Sequence, residues 1–146
     1  MRVRRAAARD LPVVLEIERA CFGRDAWPER LFREYLEACP GLFLIAGRAG
    51  YAVAYIRRNQ GEIESIAVHP HFMRRGIGAA LMRFILSSLK RRGIPGAALM
   101  VATRNKNAIT FYRSFGFRRT RTIPDYYGRN RPAWRMRLDL RAERNQ

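Results

Sequence analysis

The hydrophobic period of the chain changes repeatedly, and each change marks an element. Leu11, Val14 and Leu15, continued by Glu18 to Phe22, recur at helical spacing behind Asp10, which predicts a helix with that aspartate as N-cap. A short strand around Val3 precedes it. Leu31, Phe32, Tyr35 and Leu36 form one side of a second helix that opens after Pro28 and stops at Cys39-Pro40-Gly41. Leu42 to Ala46 and Tyr51 to Ile56 are continuous apolar runs joined by Arg48-Ala49-Gly50, a predicted hairpin, and Asn59-Gln60-Gly61 turns the chain into a third strand, Glu62 to Val68. From Gly76 to Arg92 the period is helical again, with Leu81, Phe84, Ile85 and Leu89 on one side and Gly93 closing the longest helix. A strand over Ala97 to Ala102, a helix over Asn105 to Ser114 and strands over Phe117 to Ile123 and Ala133 to Leu140 complete the chain. The order β-α-α-β-β-β-α-β-α-β-β predicts a mixed sheet with helices on both sides.

Composition narrows the classes. With 146 residues the chain suits one domain, 1–146, with a single core, and 48% hydrophobic against 28% charged residues excludes a disordered chain. The formal net charge of +17 calls for an anionic partner, phosphate first, a ribosomal one included. Only Lys90 and Lys106 are lysines, so arginine supplies the excess, which a GC-rich genome also produces through its codons. Basic pairs at Arg57-Arg58, Arg74-Arg75, Arg91-Arg92 and Arg118-Arg119 are spread along the chain, unlike a nucleic-acid-binding arm. Cys21 and Cys39 lack CxxC spacing and are expected as packing residues in a reducing compartment. Asp10, Glu16 and Glu18 interrupt any signal-peptide core, and no run approaches the ~20 apolar residues of a membrane helix, so a soluble cytoplasmic protein is expected. His69 and His71 flank Pro70 without a ligand cluster, which points to turn residues rather than a metal site or a nucleophilic triad.

The sharpest chemical feature is Arg74-Arg75-Gly76-Ile77-Gly78-Ala79, between a strand and the start of the longest helix. A helix start offers N–H groups without intrahelical partners and about half a positive charge, and glycines lacking Cβ let a diphosphate approach the main chain. The same glycines would also serve tight packing of the turn. Leu81 stands where a dinucleotide fingerprint needs its third glycine, and the Gly-Lys-Ser/Thr of a P-loop is absent.

Taken with Ile66-Ala67-Val68-His69-Pro70, this segment resembles the GNAT superfamily of acetyl-CoA-dependent N-acetyltransferases, and the likeness covers nearly the whole chain. It implies an α/β (α+β) fold with a mostly antiparallel sheet of about six to seven strands and about four helices. It also implies acetyl-CoA as cosubstrate, no metal, and a donor site of Ile66, Ala67, Val68, Arg74, Arg75, Gly76, Ile77, Gly78, Ala79, Asn105 and Tyr112. Met73 departs from the family's Gln/Arg at the first motif position. Val101-Ala102-Thr103-Arg104-Asn105, Tyr112 and Phe115-Gly116-Phe117 resemble the family's second signature. There Asn105 would contact the pantetheine arm and the Tyr112 hydroxyl would protonate the departing thiolate, whereas without the resemblance Tyr112 is a half-buried helix tyrosine.

Ile17 to Phe22, Trp27, Phe32 and Tyr126-Tyr127 resemble the RimI-type N-terminal acetyltransferases of ribosomal proteins, with Trp27, Tyr126 and Tyr127 on the acceptor side. That subgroup's catalytic glutamate is replaced by Met100. Glu62 and Glu64 share one side of their strand, and either would draw a proton from the amine, directly or through water. A lysine side chain costs roughly 4.6 kcal/mol to deprotonate at pH 7 and an α-amine about 1.4, so a weak base suits an α-amine. Polyamines and aminoglycosides would be repelled by a chain this basic. The expected reaction is acetylation of a peptide or protein N-terminus by a monomer or homodimer. A small-molecule amine acetyltransferase and a non-catalytic RNA- or ribosome-binding module are the alternatives.

Overall fold

The computed structural model describes residues 2–38 and 41–141. Cys39, and with it the expected end of the second helix at Cys39-Pro40, lies outside them. The elements are β1 (Val3–Arg5), α1 (Leu11–Phe22), α2 (Glu29–Ala38), β2 (Phe43–Ala46), β3 (Gly50–Arg57), β4 (Gln60–Val68), α3 (Ile77–Arg91), β5 (Gly96–Ala102), α4 (Lys106–Ser114), β6 (Arg118–Ile123) and β7 (Ala133–Asp139). This order is the one the hydrophobic pattern predicts. The seven strands follow the spatial order β1-β2-β3-β4-β5-β7-β6. The β4–β5 pairing is parallel, while β1–β2, β2–β3, β5–β7 and β6–β7 are antiparallel, so the sheet is mixed and mostly antiparallel.

The chain forms two compact units, one of Met1–Tyr55 with Glu64–Ser88 and one of Ile56–Ile63 with Leu89–Gln146. In the first, β2 is buried throughout and β3 over Gly50 to Ala54, which is why both read as continuous apolar runs rather than alternating ones. Val14, Ile17, Phe32 and Tyr51 are fully enclosed there. Gly50 lets the start of β3 approach β4 and α3, because a Cβ on it would lie 2.9 Å from the Ala67 carbonyl oxygen and 3.2 Å from Leu81 Cδ1.

Asp10 holds the N-cap position of α1, as expected, but its side chain makes no capping bond to that helix. It has helical dihedrals inside a 3-10 turn, Ala8–Asp10, and its carboxylate turns back to accept from the Ala7 N–H at 2.8 Å and from Arg4 at 2.7 and 2.9 Å. The turn adds a half-step of helix ahead of the apolar stripe, and an acid at its end finds the turn's own donor closer than that of α1.

In the second unit, β5 pairs with β7 from Gly96↔Asp139 to Ala102↔Ala133, and β4 joins β5 through Gly61↔Ala97 to Ile63↔Leu99. The edge strand β6 carries an irregularity between Arg119 and Arg121. It opens at Arg118 rather than Phe117, because the Phe117 N–H donates to the Tyr112 carbonyl at 3.2 Å and its ring is buried.

Candidate active site

In the first unit the segment after β4 makes a 3-10 turn, Pro70–Phe72, in which the His71 N–H donates to His69 Nδ1 at 3.1 Å, so both histidines are turn residues. Met73 is exposed. Arg74 and Gly76 then take positive φ values of 63° and 77° and swing the chain into α3, whose first bond runs from the Ala80 N–H to the Gly76 carbonyl at 3.0 Å. The leading N–H groups of this 15-residue helix have no acceptor within it. Nothing lies within 4 Å of where a Gly76 Cβ would be, so packing is not the reason for glycine there; the left-handed backbone is, and the space beside it is open. Arg74 and Arg75 are exposed, with Arg75 stacked on the Phe72 ring 5.4 Å from its centroid. Buried Ile77 and Leu81 hold the turn to the core. Main-chain donors, a helix start and two guanidinium groups fit a diphosphate.

Ahead of the turn, Ile66, Ala67 and Val68 form the end of β4, and the Val68 carbonyl accepts from the Cys21 thiol at 3.2 Å. Cys21 is thus half-buried and hydrogen-bonded rather than a packing residue, and burial pushes its thiol upward from the ordinary range. Trp27 is half-buried, its ring 5.7 Å from Phe32 and 5.8 Å from Tyr35. Its backbone N–H donates at 2.9 Å to Glu18, which is 2% exposed and also accepts from the Tyr51 hydroxyl. From sequence, Glu18 belongs to the apolar stripe of α1; the signal for its role was an acid at a core position. The Tyr51 hydroxyl lies 3.1 Å from the Ser65 hydroxyl, and burial with the adjacent Glu18 carboxylate drives its pKa far above the usual phenol range.

In the second unit Asn105 is the N-cap of α4, its Oδ1 accepting from the Ala108 N–H at 3.2 Å. It lines a pocket of about 290 Å³ with Ala102, Arg104, Arg131 and Pro132. Tyr112 lies two turns along α4, edge-on to Phe111 and Phe117 at 5.5 and 6.1 Å. Desolvation pushes its phenol up to about 12, so it keeps its proton throughout the neutral range. Tyr126 and Tyr127 lie exposed in the β6–β7 connection with ring centroids 4.9 Å apart.

Glu62 accepts from both Arg135 terminal nitrogens, at 2.9 and 2.6 Å, a two-pronged pair that engages both carboxylate oxygens. Glu64 follows two positions later on the same side of β4. Met100 lies directly opposite Arg135 on the neighbouring strand, so the position where the RimI-type subgroup has its glutamate faces a guanidinium-bearing residue. Arg135 is the site neighbour that sequence left unseen, since only strand register brings residues 62, 100 and 135 together. Among the described residues no group of three His, Cys, Asp or Glu side chains could hold a metal ion, and no helix is long and apolar enough to cross a membrane.

Comparison with known proteins agrees with this geometry. The model of the acetyltransferase (GNAT) family matches residues 11–117, taking in parts of both units. The chain belongs to this family. It is 31% identical over 121 residues, 81% of each chain, to the alanine N-acetyltransferase of ribosomal protein bS18 from Salmonella typhimurium. An N-alpha-acetyltransferase of Sulfurisphaera tokodaii is 26% identical over 156 residues, covering 95% of this chain and 93% of its own. The crystal structure of Ard1 from Thermoplasma volcanium superposes with a TM-score of 0.88 at 26% identity, covering 94% of this chain and 96% of that one. The protein is therefore a GNAT acetyltransferase with a RimI-like sequence and fold.

Proposed function

We propose that this acetyltransferase moves the acetyl group of acetyl-CoA onto the N-terminal α-amine of a peptide or protein. The left-handed, side-chain-free turn at Gly76 carries the donor half of this reading, since it opens the first turn of α3 to an anion with no steric toll. The acceptor half is supported by relatives named as an alanine N-acetyltransferase of a ribosomal protein and as an N-alpha-acetyltransferase. In this assignment Arg74, Arg75 and the N–H groups of Gly76, Ile77, Gly78 and Ala79 hold the diphosphate. Ile66, Ala67 and Val68 present strand-edge groups to the pantetheine amides, and Asn105 meets the same arm. Trp27, Tyr126 and Tyr127 receive the acceptor.

Tyr112 serves as the donor to sulfur. A phenol held neutral by its surroundings stays ready to donate to the negative charge that develops on the leaving thiolate. Glu64 is assigned as the base that draws the proton from the ammonium, directly or through water. Glu62 is assigned beside it as a carboxylate fixed by Arg135, because both of its oxygens are already engaged. A reducing cytoplasm is the compartment that fits an enzyme of this kind with an uncrosslinked Cys21.

The test is thiol release from acetyl-CoA across N-terminally free peptides, N-terminally blocked peptides carrying lysine, free amino acids and polyamines. Turnover restricted to free α-amines of peptides is the expected result, and turnover of only polyamines or lysine side chains would reject the acceptor class. Calorimetry showing no acetyl-CoA binding would reject the donor assignment. Replacing Glu62 and Glu64 by Gln, singly and together, separates their roles: the Glu64 change should remove the acidic limb of the pH–rate profile, where the base must lose its proton, while the Glu62 change should leave that limb in place.

A further inference from the structure

The face of the second unit that bears Glu62 is dominated by arginine. Strand register sets Glu62 level with Ala98, Ala98 with Arg137, and Arg137 with Arg118. The next row runs from Met100 to Arg135 to Arg121. Directly opposed residues point to the same side of a sheet, so two Arg–Arg pairs face each other across β6 and β7. Like charges placed this way destabilise a sheet.

Two of the four guanidinium groups are satisfied internally. Arg135 forks onto Glu62, and Arg137 donates to Gln60 at 2.8 Å. Both cross β5 where it is small, at Gly96 and Ala98 rather than at Met100: Ala98 lies between Glu62 and Arg137, and a Cβ at Gly96 would lie 2.8 Å from Arg137 Cζ. Asp139, the acid two positions beyond Arg137, is taken by Arg141. Arg118 and Arg121 remain exposed at the sheet edge, and among the described residues neither has a carboxylate partner. The uncompensated charge of this face is therefore concentrated three strands from the carboxylates assigned to the acceptor amine.

We infer that this edge selects acceptors with acidic side chains a few residues in from the amine, Arg118 and Arg121 being the specificity residues. The inference rests on the α-amine reading above and names its substrate class. Adjacent strands are about 4.8 Å apart, so β6 lies roughly 14 Å from β4, the reach of about the fourth or fifth residue of an extended peptide. Charge complementarity selects an acidic segment over a basic one, and a basic acceptor would meet two exposed guanidinium groups.

The experiment uses the full chain, acetyl-CoA and hexapeptides identical except at positions four and five, which are Glu-Glu, Gln-Gln or Lys-Lys. In the native protein kcat/KM should fall in that order, with the acidic peptide favoured over the neutral one by about fivefold to tenfold, chiefly through KM. Arg118→Gln with Arg121→Gln should level the series, and Arg118→Glu with Arg121→Glu should invert it. Both residues are exposed, so thermal unfolding should show the variants at least as stable as the native protein. Equal rates in the native protein, or an acidic preference that survives reversal, overturns the inference and leaves the α-amine reading standing. So does a peptide series without preference combined with tight binding of a single-stranded RNA oligonucleotide that charge reversal abolishes, which would assign the edge to nucleic acid. Failure to acetylate any of the peptides overturns both.

Discussion

At residue scale, the proposed chemistry divides between two positions that can be tested separately. Gly76 combines a φ of 77° with open surroundings, so Gly76→Ala leaves space intact but strains the backbone by about 1–2 kcal/mol. Relief of that strain would turn the leading N–H groups of α3 away from the position proposed for the diphosphate. The expected outcome is weaker acetyl-CoA binding by calorimetry, with acceptor KM little affected. Tyr112→Phe removes the hydroxyl while keeping the ring among Phe111 and Phe117. It should lower kcat by about 10²-fold and leave acetyl-CoA affinity close to native, as steady-state kinetics with direct binding would show. Gly76 and Tyr112 were both singled out as candidates by the sequence because each belongs to a short local motif. Arg135 and Glu18 were not, because the one becomes a site neighbour through strand register and the other through burial.

At the scale of elements, the connection between α1 and α2 is held by a buried acid. Glu18 on α1 accepts from the Trp27 N–H and the Tyr51 hydroxyl, tying the connection to the core that β3 builds. Glu18→Gln halves the acceptor capacity where two donors converge, and should destabilise the protein by about 1–3 kcal/mol in chemical denaturation. Arg48→Ala breaks only the surface pair with Glu16 and should cost less than about 1 kcal/mol. The acceptor KM of Glu18→Gln should rise as well, because Trp27 loses its anchor. The element order was readable since each helix and strand has its own period, and the buried β2 and the first part of β3 announced themselves by length and β-branched or aromatic content. The start of α1 behind Asp10 was readable, while the 3-10 turn ahead of it was not, because that turn leaves no periodicity of its own.

For the whole molecule, pH response follows from which groups the fold keeps neutral and which it keeps charged. Tyr51 and Tyr112 are both raised above the ordinary phenol value of 10.0, Tyr112 to about 12, so the native state holds these protons more tightly than the unfolded chain does. That stability is complete below pH 10 and is lost as pH rises through the native values. Asp10 behaves oppositely: its pairing with Arg4 lowers it from 3.8, so its contribution is present above that value and disappears on acidification below it. Thermal unfolding should hold level from neutral pH to about pH 10 and decline beyond, and Tyr51→Phe should shallow the alkaline decline. Periodicity and turn chemistry determined by themselves the element order and the mixed sheet, and two short motifs pointed to the proposed donor side, because those depend on neighbours within a turn or two of helix. Only the tertiary structure decided that Glu62 is held by Arg135, that Glu18 is buried where it accepts from the Trp27 N–H and the Tyr51 hydroxyl, and that Arg118 and Arg121 share the face of Glu62. Those facts depend on which residues lie level across strands far apart in sequence, and the alternation of a strand shows only which side a residue takes, never who stands opposite it.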